Sequence, residues 1–545
     1  MKTKTIPLLL PSLVLLGGFV SSLDAQSVFT TDSTAYQWGV AGNWSPSGIP
    51  TGVDAAVVFN SPVGGNQNIS SYGTGRTIGS FTINNDSANS LTFSSTSRLT
   101  FDVSSGNASL TVNGTTPTAV AFTSNTPFTL NDNLLITVNN TSATDSRGAL
   151  SIAGIIDGTG RIIKAGAGKV SLTGTNTFTG GLTINAGTVR VTGASGIGAA
   201  PASFVADQVV LDGGTLQFDG SSNVSIGSSS TTSTIGFTLG SNNGEIAVTN
   251  SGSYNLHTVI AGGGSLTKSG TGTLYLNGAS TYSGGTVIKS GSLRVGVSAS
   301  LGSGTVTLGS VGGGNASLIS NLGGYTYANN ITVASGSGGT LTLGSDSTSA
   351  YNTAFSGALF VGDNLTVTTS APSGNRLSFT GILSGTGNIT KTGTGELRLT
   401  NDNTWTGNLA ISEGSVNLTS TGQLRFALAD GGVSNHITGV GSATFNGTFV
   451  IDDSALTGLG SWQLVDTSAL TTTFGSSFTL TVLNGETFTE QGDGTTFTLD
   501  GWTFDTLTGI LTLSASQVPE PSVYAALAGL AALGLAIVRR RFAAA

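Results

Sequence analysis

Three stretches of this chain match one another position by position without a gap, and that register limits what the chain can fold into. Counted from Lys164, Lys268 and Lys391, glycine stands at +2 and +4 each time, and an aromatic at +14 (Phe178, Tyr282, Trp405). Glycine returns at +16 (Gly180, Gly284, Gly407) and at +23 (Gly187, Gly291, Gly414). Inside each copy runs a shorter period. Val170 and Leu172 return as Val189 and Val191, Leu274 and Leu276 as Leu293 and Val295, and Leu397 and Leu399 as Val416 and Leu418, always after 19 residues. Alternating apolar pairs put both side chains on one face of a strand. A return after about 19 residues lays the next strand over the last, the geometry of a coiled solenoid. The glycines allow tight corners between strands. No copy holds room for the helix that an α/β repeat needs.

Composition agrees with β-structure. Charged residues make up only 8% of the 545, and Gly supplies 82. Val, Ile, Leu and Phe come in short alternating runs, which a disordered Gly/Ser chain would lack. There is no cysteine, so neither disulfides nor thiolate metal sites contribute. Of the 19 basic residues five lie at the extreme ends, against two of the 27 acidic ones, which leaves 14 basic and 25 acidic residues between. Such a body repels nucleic acid and anionic lipid, and no nucleic-acid partner is expected.

The two ends read as addresses. Residues 1–25 have the form of a secretory signal peptide, with Lys2 and Lys4, an apolar stretch from Ile6 to Val20, and Ala25 as the last residue removed. At the other end Pro519-Glu520-Pro521 precedes an apolar run from Val523 to Val538, then Arg539, Arg540 and Arg541. As a bare pattern this is a short stop-transfer helix, with the arginines held on the cytoplasmic side and the body outside.

The tail resembles the PEP-CTERM sorting signal of Gram-negative bacteria. That resemblance implies a membrane-anchored precursor in the inner membrane, an exosortase-type sorting enzyme as partner, and roles for Pro519, Glu520, Pro521 and Arg539 to Arg541 in the signal. The repeated Lys-x-Gly-x-Gly-x-Leu-x-Leu, followed by Asn/Ser-x-aromatic-x-Gly, is similar to the autotransporter-associated β-strand repeat. Asn401 departs from the pattern where the other copies have Gly174 and Gly278. The family implies an elongated right-handed parallel β-helix and export, and no defined activity.

The search for chemistry returns little. His257 and His436 belong to no nucleophile motif. Asp452-Asp453 is the one adjacent carboxylate pair and reads as a strand ending in a turn rather than an acid/base pair. The glycine clusters lack the aspartates of stacked calcium turns. Gly166-Ala-Gly168-Lys169 lacks the upstream glycine and hydroxyl of a phosphate loop. No catalytic, cofactor or metal site is expected. The recurring lysines read as structural, covering a coil edge.

These readings divide the chain into a signal peptide (1–25), an N-terminal β cap region (26–150), the β-helical repeats (151–430), a C-terminal β cap segment (431–516) and the sorting signal with its transmembrane helix (518–545). Trp44 and Trp462 mark the expected caps. The expected function is a non-enzymatic cell-surface or matrix protein, structural or adhesive, with exopolysaccharide as a further partner. The alternative is a β-helix that binds or degrades polysaccharide.

Overall fold

The computed structural model describes residues 26–514 except 31–36, 61–65, 71–72, 116–118, 142–147, 221–222, 229–232, 348–350 and 370–375. Ala25, Pro519, Glu520, Pro521, Arg539, Arg540 and Arg541 lie outside the described residues, as does the apolar run between the last two groups. Among the described residues no helix is long and apolar enough to cross a membrane.

Alternation drives each strand, and stacking completes it. Leu134–Val138, Leu150–Ile152 and Ile156–Gly158 follow one another through three different sheets. The chain then returns to the first sheet with Ile162–Ala165 and to the second with Lys169–Leu172. Up to this point one turn of the chain visits three faces, and each of the three sheets gains one parallel strand per turn. Among the described residues the longest sheet has 14 strands, from Gln67–Ser70 to Leu383–Gly385. At about 4.8 Å per rung it runs for about 60 Å.

The core is a set of inward columns. Ile69, Phe93, Phe122, Ile152, Leu172, Val191, Phe218 and Val248 stand one above another in exact register and are buried. Each fully buried side chain of this kind stabilises by about 1.5–3 kcal/mol relative to exposure. The 19-residue return is real: Val170 pairs with Val189, Leu274 with Leu293, and Leu397 with Val416. These short turns carry strands on two faces only. On the third face an extended stretch closes the coil, with the Thr177 amide donating to the Ile156 carbonyl at 2.8 Å.

The regions with no visible repeat, 195–255 and 296–380, join the same ladder with longer turns. Val189 pairs with Leu216, and Leu216 with Ile246, so the return there takes 27 and then 30 residues.

Both ends of the described ladder are covered. Trp38 and Trp44 pack with Phe59 across the first rungs, ring centroids 5.6 and 5.4 Å away. At the other end an antiparallel five-stranded sheet, from Gly460–Gln463 to Ile510–Leu513, lays Phe504 against Phe449 and Phe474. Trp462 donates from Nε1 to the Ala429 carbonyl at 2.7 Å. Covering the last rungs removes open edges that would otherwise pair with other chains.

Val189→Asp puts an unpaired carboxylate into a closed apolar column. It should destabilise the protein by about 3–5 kcal/mol in urea unfolding, whereas Thr307→Asp on an outward position should cost less than about 1 kcal/mol. Equal effects of the two would mean that Val189 does not face the core.

Candidate functional site

The repeat motif builds one site three times, around the lysines. Lys268 occupies a core column, with Ile246 on the rung before it and Ile288 on the rung after. Lys164 stands between Ile136 and Ile184, and Lys391 between Val367 and Ile411. All three are fully buried, so they do not cover a coil edge. That reading treated a charged residue as a surface residue, whereas the four-carbon stem here fills the space of an isoleucine and carries the ammonium to a corner.

At the corner the ammonium meets three carbonyls. Lys164 Nζ donates to the carbonyls of Ala165 (2.6 Å), Gly166 (2.6 Å) and Ala186 (3.2 Å). Lys268 donates to Ser269 (2.8 Å), Gly270 (2.9 Å) and Ser290 (3.0 Å). Lys391 donates to Thr392 (2.9 Å), Gly393 (2.6 Å) and Glu413 (3.2 Å). Two acceptors come from the lysine's own corner and the third from the next rung. An ammonium has three N–H donors and a neutral amine two, so the cage fits the charged form.

The recurring glycines serve this cage. The +2 glycines (Gly166, Gly270, Gly393) turn at φ of 72–74°, which aims their carbonyls at the ammonium. The +23 glycines Gly187, Gly291 and Gly414 close the next corner at φ of 65–73°. A Cβ on Gly187 or Gly291 would lie 2.8 Å from the lysine Nζ. Asn401 solves its corner differently. Gly174 and Gly278 lie so close to the preceding coil's backbone that a Cβ would collide, whereas Asn401 swings to φ 74° and donates to the Thr380 carbonyl at 3.2 Å.

The other motif positions bind coil to coil. Asn176 Oδ1 accepts from the Ile156 amide at 3.0 Å and Asn403 Oδ1 from Leu383 at 2.8 Å, while Ser280 accepts from Ile260 at 3.3 Å. The aromatics Phe178, Tyr282 and Trp405 are buried over the corner between them.

Burial pushes the lysine pKa values down, to about 8 at Lys164 and Lys391 and about 7 at Lys268. Nearby Glu413 and Glu245 act the other way at Lys391 and Lys268. A lysine poised near neutrality can be a nucleophile, but these amines are sealed from solvent and face backbone carbonyls. Their role is structural.

The remaining candidates do not converge. Partial burial works to raise the Asp452 carboxyl, but the Ser454 hydroxyl and the Arg425 guanidinium, 2.6 Å away, outweigh it and hold the group below the usual carboxylate range. It is a locked anion. The His436 amide donates to Asn408 at 3.0 Å, and His257 sits on a separate corner, its amide donating to the Ile226 carbonyl. Among the described residues no three His, Asp or Glu side chains form a metal-ligand cluster. Several ion pairs join rungs, including Arg98 with Asp157, Arg190 with Asp219 and Arg294 with Asp346.

Residues 162–191, 266–295 and 389–418 match the family described as Passenger-associated-transport-repeat. Each match begins two residues before a buried lysine. The chain is also 32% identical over 365 residues to a protein named Adhesin BmaC autotransporter, from Brucella suis biovar 1 (strain 1330). The similarity covers 65% of this chain and 9% of that protein, so the chain spans less than a tenth of its curated relative. No solved structure matches the chain. Three stretches of the chain thus carry the repeat that this family describes.

Replacing Lys268 by Met removes a titrating group and isolates its pH dependence. The folded pKa lies near 7 against 10.5 for the free side chain, so between these values the unfolded chain binds more protons. The stability of wild type relative to Lys268→Met should therefore rise as pH increases from about 7 to 10.5 and stay flat below it. Urea midpoints from pH 6 to 10.5 measure this, and a difference that falls with pH would contradict the buried cage.

Proposed function

We propose that this chain is an exported, non-enzymatic cell-surface or matrix protein whose right-handed β-solenoid presents an adhesive or structural surface outside a Gram-negative cell. The continuous parallel ladder carries this reading. Parallel β–β returns are overwhelmingly right-handed. A capped rod with sealed corners can hold a surface away from a membrane, and no described element assembles an acid, a base and a nucleophile. The relative named an adhesin supports display and contact rather than turnover.

Sorting follows from the two ends. Removal of residues 1–25 after Ala25 releases the body across the inner membrane. The segment 518–545 holds the precursor there as a transmembrane helix, with Arg539 to Arg541 on the cytoplasmic side. Pro519, Glu520 and Pro521 present it to an exosortase-type enzyme of the PEP-CTERM system. The acidic body has no use for nucleic acid as a partner.

Cell fractionation with protease shaving tests both parts. The wild-type chain should be accessible on intact cells or in the matrix, with Gln26 as its first residue. Replacing Pro519, Glu520 and Pro521 with Ala should leave it in the inner membrane. A cytoplasmic wild-type chain would defeat the surface reading, and normal release of the triple variant would defeat the sorting signal alone.

A further inference from the structure

One face of the ladder carries a strip of hydroxyls that the fold does not use. In the ten-stranded sheet Ser317, Thr342, Thr366 and Thr390 occupy the same outward position on four consecutive rungs. Thr438 continues that row two rungs later, past Ala410. Beside it Thr368 and Thr392 form a second row. Most of the row hydroxyls are half-buried at the surface and make no hydrogen bond with described residues, whereas Thr392 lies 3.5 Å from the Val367 carbonyl. The next row inward to the corner behaves differently. Asn364, Asn388 and Asn408 are spent on one another's rungs: Asn388 Nδ2 donates to Asn364 Oδ1 at 3.1 Å, and the Asn408 amide to Asn388 Oδ1 at 2.9 Å. This ladder stiffens the border of the strip and fixes its spacing.

We propose that this strip binds an uncharged polysaccharide lying along the solenoid axis, which rests on the surface-display reading and gives its adhesive contact a ligand class. Three properties select that occupant. The hydroxyls repeat at about 4.8 Å, the rung spacing, which is close to the advance per sugar of an extended β-linked chain. Each sugar along the chain therefore meets another threonine, and every second sugar presents the same edge to it. Each threonine offers a donor, two acceptor lone pairs and a methyl group, a match for the hydroxyls and C–H groups of a pyranose edge.

Charge decides between glycans. The strip itself carries no ionisable side chain from Ser317 to Thr390, because Lys391 points into the core. The charged groups at its borders include the anions Asp363 and Glu413, and Arg294 at one end is paired with Asp346 at 2.5 Å. A polyuronate would be repelled and a neutral chain would not. A protein partner is disfavoured, because the strip lacks the aromatic and arginine anchors on which protein interfaces depend. Single contacts are weak, but a polymer engages many rungs at once.

Co-sedimentation of the full chain, purified in mild detergent, with insoluble cellulose, chitin and calcium-alginate beads tests this directly. The wild type should pellet with at least one neutral glycan and stay in solution over alginate. The variant Thr342→Val, Thr366→Val, Thr390→Val keeps shape and strand preference and should weaken binding about tenfold or more, from three lost hydrogen bonds. Should that variant melt early, Thr366→Glu alone must produce the same loss. Failure of the wild type to pellet with any neutral glycan, preference for alginate, or undiminished binding by the folded variants would overturn the proposal. None of these outcomes bears on surface display, which fractionation decides separately.

Discussion

Everything in this molecule depends on the parallel backbone ladder. Away from its ends, each strand satisfies its amides and carbonyls only through the rungs before and after it. A slip of one residue would turn every inward side chain outward, so the ladder and the columns of Val, Leu, Ile and Phe enforce each other. The low charge of the chain follows from this. Many outward strand positions carry Ser, Thr or Asn, such as Thr82, Thr111 and Thr342, which suit a half-buried pleated surface. Display of a long, unchanging face is what such a rod does well.

The buried lysine shows how a one-dimensional stack keeps its place. Columns of aliphatic residues tolerate exchange of one rung for another, because Ile246 and Ile288 present nearly the same surface to a neighbour. Lys268 does not. Its ammonium is satisfied only where its own corner supplies two carbonyls and the next rung supplies Ser290. In any other register the charge would meet aliphatic side chains at a cost of several kcal/mol. Buried polar groups that fix register at some expense of stability are known in coiled coils, and the depressed lysine pKa values are the sign of that expense here. The three lysines sit in three different sheets, so each face of the prism carries one such marker.

Much of this was legible in the residues themselves. The 19-residue return of Val170 to Val189 defines a stacked strand from the residues alone, because the two shortest corners leave no room for insertion. Longer corners hid the rest. Between Val191 and Val248 the same column continues through Phe218, but loops of unequal length destroy the period while leaving the register intact. The lysine's direction was missed although a signal existed. Ile162-x-Lys164, Leu266-x-Lys268 and Ile389-x-Lys391 place each lysine two residues after an inward aliphatic, which in a strand means the same face. The hydroxyl strip was not legible at all, since Ser317, Thr342, Thr366 and Thr390 come together only through stacking.

Register is the central claim, and a chain without cysteine allows it to be read covalently. Thr307 and Thr332 are outward partners on adjacent rungs, at a spacing of about 4.8 Å that suits a disulfide. With Thr307→Cys and Thr332→Cys combined, mild oxidation should crosslink the chain internally and almost completely, without lowering its urea midpoint. Thr307→Cys combined with Thr342→Cys, which lies in a different sheet, should remain reduced. Absence of the first crosslink, or formation of the second within one molecule, would contradict the parallel register on which the account rests.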